Sequence, residues 1–213
     1  MALQLSDSLQ FASRDPEEYR LYFGMPKSEY YMLDKRYRRN EALAYCKSEG
    51  CDWWSLARDW NSWNAIKHDA WKPIFKRGRD YWHPTIFEPE QRKMYDALPD
   101  KITIYRGCHT GMRHGRRRLS WTLDESWAHW FADTGIRGWK PGGAPVVYRG
   151  VIKKKDVALV FCDRNESEIV PFDAKAIRNI EEFALDPALA ADRTAKSKAA
   201  YEAWLALTKA KAA

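Results

Sequence analysis

Near Lys101 the hydrophobic period of the chain changes, and a fold for this sequence has to hold both textures. Upstream, PEEYRLYF, SEYYMLDKRYRRNEALAYCKSEG and CDWWSLARDWNSWNAIKHDAW place apolar residues three and four apart, the spacing of one helix face. Gly50 and Pro73 punctuate these runs, and PEQRKMYDALPD reads as a short helix with Pro at its start and another after its end. Downstream, ITIYRG, VVYRGVI, VALVF and SEIVPF are short runs rich in β-branched and aromatic residues, the composition of strands. One helix interrupts them, DESWAHWFADTG, with Asp124 placed to cap its start and Gly135 to stop it. The last stretch, DPALAADRTAKSKAAYEAWLALTKAKAA, is alanine-rich and helix-favouring, with Tyr201, Trp204, Leu205 and Leu207 able to dock. Strand, strand, helix and then several strands is an α+β pattern, not the regular alternation of a doubly wound sheet. The expected organisation is a helical region over 1–99, an α+β core over 100–184 and a C-terminal helix over 185–213.

Composition narrows the class. With 45% hydrophobic and 14% aromatic residues among 213, the chain can bury a core and is not intrinsically disordered. No apolar stretch approaches the ~18 residues of a membrane span, and MALQLSDSLQFASRDPEEYR lacks the basic start and apolar centre of a secretory signal. A cytoplasmic protein with no membrane partner is expected. Cys46, Cys51, Cys108 and Cys162 form no Cys-x-x-Cys pair and have no histidine at zinc-ligand spacing, so thiols in a reducing compartment and no metal are expected.

The positive charge is concentrated. Residues 1–100 carry 16 basic and 16 acidic side chains, residues 101–150 carry 9 and 3, and residues 151–213 carry 11 and 10. A basic excess held in one segment points to an anion, phosphate among them. Six of the 11 tryptophans fall between Trp53 and Trp82. Helical spacing explains them as a core sealed by large aromatics. A stacking platform for bases is the other reading, kept open by Lys72, Lys76, Arg77 and Arg79.

Three short sites could do chemistry. Arg106, in Tyr105-Arg106-Gly107 at the end of the ITIYRG run, can point into a cleft and grip phosphate with two parallel hydrogen bonds. In Ser120-Trp121-Thr122, extended backbone turns both hydroxyls to one side and the indole to the other. Glu166 and Glu168 likewise share one face of a strand, roughly 6–7 Å apart. Two carboxylates near one sugar can stabilise an oxocarbenium-like centre and orient or deprotonate a nucleophile. Each site also has an ordinary reading: a surface arginine, an edge strand, a solvated acidic face.

Taken in order, Arg on a first strand, Ser-x-Thr before a helix and Glu-x-Glu on a later strand resemble the Arg-Ser-Glu class of mono-ADP-ribosyltransferases over roughly residues 100–180. The resemblance implies a two-sheet core with a cleft, and transfer of ADP-ribose from NAD to a macromolecule with release of nicotinamide. It implies that Arg106 binds the NAD diphosphate, flanked by Tyr105 and Gly107. Ser120 would line the nicotinamide pocket and help hold Glu168, while Thr122 braces the strand. Glu168 would bond the ribose and stabilise the cation, and Glu166 would position the acceptor. Trp121 departs from the family motif and its ring is expected to pack, within the stretch Ser120-Trp121-Thr122 that the resemblance sets against NAD. His109, in the following loop, and Trp139, where the family carries a mobile loop, complete the expected NAD contacts. Glu-x-Glu favours a protein arginine as acceptor, with a nucleic-acid base second. An effector or toxin of bacterial or phage type, with an antitoxin as a further partner, is the expected setting. NAD hydrolysis, or a basic Trp-rich nucleic-acid-binding module without activity, are the alternatives.

Overall fold

The computed structural model describes residues 21–63, 66–112, 114–135, 142–162 and 166–212. The chain divides into two compact units that meet between Gly78 and Arg79, so the short helix 89–97 belongs with the strands and not with the helices before it.

In the first unit, β1 (Leu21–Tyr22) and β2 (Met25–Pro26) form a two-stranded antiparallel ribbon. Phe23 and Gly24 between them have φ of 51° and 75°, the left-handed pair that a tight hairpin needs. This turn overrides the helical spacing at the end of PEEYRLYF. Helices α1 (Lys27–Met32), α2 (Lys35–Ser48), α3 (Trp53–Asp59) and α4 (His68–Gly78) follow. Asp34 caps α2 by accepting from the Arg36 amide, and Asp52 caps α3 by accepting from Ser55. Pro73 lies inside α4 instead of ending it.

Trp60 and Trp71 are fully buried, and Trp53, Trp54 and Trp63 are buried beside them. Trp63 stacks on Trp71 with centroids 5.4 Å apart. These five tryptophans are therefore a core, and a base-stacking platform made of them is overturned: rings this enclosed present no face to a base. At the centre of the unit, buried Asp59 accepts from Tyr30 Oη at 2.6 Å, Trp63 Nε1 at 2.6 Å and Arg38 at 3.1 Å. Cys46 is buried, and hydrogen bonding to it joins burial in pushing the Cys51 thiol pKa up.

The second unit is α+β. After α5 (Pro89–Ala97), with Pro89 in its first turn and a capping box between Glu88 and Gln91, come β3 (Lys101–His109), β4 (Trp121–Thr122), α6 (Glu125–Thr134), β5 (Pro145–Lys153), β6 (Val157–Phe161), β7 (Glu168–Pro171), β8 (Arg178–Ala184) and α7 (Pro187–Ala212). Asp124 caps α6 by accepting from the Ser126 amide, and Gly135 ends it at φ 74°. The six strands make one antiparallel sheet in the order β6-β7-β4-β3-β5-β8. Among the described residues the two antiparallel sheets are thus split between the units, where the resemblance placed both in the core. The reason is β4: the register pair Tyr105↔Thr122 joins the half β6-β7-β4 to the half β3-β5-β8.

α6 covers one face of the sheet through the small residues Ala128 and Ala132, packed with Val147 and half-buried Tyr105. The fit is close enough that a Cβ on Gly107 would lie 1.8 Å from the Ala128 carbonyl oxygen. α7 packs on α6, with the Arg193 guanidinium 3.9 Å from the Trp127 ring centroid. Tyr201, Trp204 and Leu207 stay exposed on it. No described helix is long and apolar enough to cross a membrane.

Candidate functional site

Sheet order brings the three expected motifs onto adjacent strands. Thr122 of β4 lies directly opposite Tyr105 of β3 on one side and Glu168 of β7 on the other. Directly opposed residues share a face. Tyr105, Thr122 and Glu168 therefore form one row, which continues through Arg149 and Glu181 at the β5 and β8 end.

Arg106 points to the other face. There its guanidinium is buried at 7% exposure, Nε donates to the Gly115 carbonyl at 2.9 Å, and a terminal nitrogen donates to the Ser120 carbonyl. Its other terminal nitrogen lies 3.9 Å from Met112 Sδ. Burial lowers its pKa to about 10, and the nearby Glu168 charge acts in the opposite direction. The expectation was an arginine presented to a diphosphate. The structure shows instead a clamp tying β3 to the segment that enters β4, with main-chain oxygens on Nε and on one terminal nitrogen.

Ser120 is half-buried just before β4 and is held through its own carbonyl by that clamp. Thr122 is buried, donates its hydroxyl to the Glu166 carbonyl at 2.6 Å and accepts from the Asp124 amide at 3.1 Å. Its hydroxyl thus ties β4 to the Glu166 segment and to the entry of α6. Trp121 is 2% exposed and donates its indole N–H to the Arg118 carbonyl, so the large ring packs and has little surface to offer NAD.

Glu166 and Glu168 are both half-buried, but the regular strand begins only at Glu168. Ser167 has φ of 45°, a left-handed residue that breaks the alternation meant to turn both carboxylates to one side. The Ser167 carbonyl accepts from the Leu123 amide, so this turn is pinned to the entry of α6. Gly107 serves the approach of α6. His109 is buried at the end of β3, with Nδ1 3.3 Å from the Gly143 carbonyl, away from the row formed by Thr122 and Glu168. Trp139 lies outside the described residues. Among the described residues no cluster of three His, Cys, Asp or Glu side chains could hold a metal ion.

Sequence reasoning missed the partners of Arg106. Gly115 offers a main-chain oxygen, which every residue has. Its only trace in the sequence is the glycine itself, where a Cβ would lie 2.8 Å from Cys108 Sγ. A half-buried carboxylate in one row with a braced hydroxyl can stabilise positive charge and orient a nucleophile. Comparison with family models, curated proteins and solved structures gives no match to this chain.

Proposed function

We propose that the protein transfers ADP-ribose from NAD to a macromolecular acceptor. The observation that carries this is the strand order β7-β4-β3, which sets Glu168 opposite Thr122 and leaves only β4 between it and the strand of Arg106. In the reaction the bond from the ribose C1′ to the nicotinamide nitrogen breaks, and its electron pair leaves with nicotinamide. The ribose is left with oxocarbenium character, which the Glu168 carboxylate stabilises more strongly than it stabilises ground-state NAD. An acceptor nitrogen or oxygen then bonds to C1′ and gives up a proton, for which Glu166 is the nearest expected base. Arg106 is a positioning residue on this reading: it fixes Ser120 through the main chain.

The test is incubation of wild type and Glu168→Gln with NAD labelled in its adenylate and a bacterial lysate separated into protein and nucleic-acid fractions. Transfer with wild type, reduced by several orders of magnitude in a folded Glu168→Gln variant, is the expected result, as for deletion of transition-state stabilisation. Nicotinamide release without label in a macromolecule would make the enzyme a glycohydrolase, and neither label nor nicotinamide would sink the proposal.

A further inference from the structure

Two depressions of about 650 and 480 Å³ lie side by side on the second unit and share Arg178 and Asn179. The first is lined by Arg116, Arg117, Lys175 and Arg178. The second adds Arg79, Lys101, Lys153 and Lys155, against one acidic residue, Asp156. All eight cationic residues are exposed. Arg79 is paired with Asp156 at 2.7 Å. None of the other seven forms an ion pair among the described residues.

The arrangement works against the stability of the free protein. Lys101 and Lys153 are a direct register pair of β3 and β5, and like charges opposed across strands repel. Arg178 starts β8, the next strand, and pairs with Val151. Cations therefore cross three neighbouring strands at the ~4.8 Å strand spacing. Asn179 between the two depressions is held at φ 50°, a conformation L residues seldom adopt.

We propose that this track binds the phosphodiester backbone of a nucleic acid. A duplex carries one negative charge per ~1.7 Å of axis, a continuous row that a row of cations of one sign can neutralise. A bilayer surface is a poor match: the track is concave, and its Ile152 and Ile177 are buried and cannot insert. Taken together with the transferase reading, and resting on it, the track makes nucleic acid the acceptor class and reverses the preference for protein arginine drawn from Glu166.

The experiment measures binding of the full chain to a short fluorescent DNA duplex and a single-stranded RNA of equal length as salt rises. With up to eight phosphate contacts, affinity for the duplex is expected to fall about ten-thousandfold between about 50 and 200 mM salt. Lys175→Gln/Arg178→Gln should weaken binding to both probes and reduce the log–log salt slope by about 2, one for each lost phosphate contact. Arg116→Gln/Arg117→Gln, on a different element, should do the same and guards against a fold defect in the first variant. Glu168→Gln should bind as wild type does, so loss of transfer leaves the binding result standing, and loss of binding leaves the chemistry to be judged by nicotinamide release. No binding at the lowest salt, unchanged slopes in both double variants, or tighter binding of poly-glutamate than of either probe would overturn the proposal.

Discussion

Arg106 Nε donates to the carbonyl of Gly115 at 2.9 Å, nine residues along the chain, and this one bond closes the loop between the first two strands of the candidate site. A lysine offers three donors at a point and cannot reproduce the fork. Arg106→Lys is expected to lose about 2–4 kcal/mol of stability, because buried carbonyls lose partners and a buried charge loses its fit. Urea unfolding checks this, and a loss under about 0.5 kcal/mol, the scale of a surface change, would show that the clamp does not matter.

Thr122 connects the fold to the carboxylates through its bonds to the Glu166 carbonyl and the Asp124 amide. Thr122→Val keeps the shape and removes both bonds, so a loss of about 1–3 kcal/mol is expected. If the loop carrying Glu166 is positioned this way, kcat for nicotinamide release should drop while KM for NAD holds. Thr122→Ser should restore kcat; an unchanged kcat in the valine variant would confine Thr122 to a structural role.

Gly107 has no room for a methyl group against α6. Gly107→Ala should cost about 3 kcal/mol or more, at the upper end of overpacking effects, because the obstacle is main chain and cannot rotate away. Thermal melting is the measure, and a Tm within error of wild type would contradict the close approach of α6 to β3.

Asp59 accepts from Tyr30, Arg38 and Trp63 at the centre of the first unit. Asp59→Asn leaves Arg38 buried without its counter-charge, and a loss of about 3–5 kcal/mol is expected in guanidinium unfolding followed by tryptophan emission. Nucleic-acid affinity of the surviving folded protein should not change, since the tryptophans are core.

The pH dependence has a defined sign at Tyr148. Burial, with the charges of Cys108 and Glu182, raises its pKa from 10.0 to about 12. Between those values the native state keeps a proton that the unfolded chain has released, so the stability contributed by neutral Tyr148 is complete below pH 10 and is lost as pH rises to 12. Arg106, lowered to about 10, contributes with the opposite sign, so the informative quantity is the difference between wild type and Tyr148→Phe. The phenylalanine variant should lose less stability across this window, and parallel curves would refute the assignment.

What the sequence disclosed and withheld follows from physics at particular residues. Asp124 and Gly135 marked both ends of α6 because capping depends on side-chain type and on a positive φ, which are local properties. The tryptophan core was legible because helical spacing is periodic. β8 was not read as a strand because it is mostly exposed and carries little apolar alternation. The turn at Phe23 and Gly24 overrode a helical pattern, and the left-handed Ser167 overrode strand alternation between Glu166 and Glu168. The basic track was hidden because its residues come from distant stretches, half of them from a segment whose net charge is close to zero.

The two-residue length of β4 has a mechanical consequence. The wide sheet is held across its middle by the pair Tyr105↔Thr122, whereas β3 and β5 are matched over nine residues. A seam with so few cross-strand bonds is the least costly line along which the sheet can part, so amides there should exchange with solvent well before those of β3 and β5. The candidate carboxylates stand on one lip of that seam, and Arg106, rooted on the other, reaches across to the Ser120 carbonyl. Arg106 is thus the strap across the weakest line of the sheet, and exchange at Thr122 should rise further in Arg106→Lys while exchange within β3 and β5 stays slow.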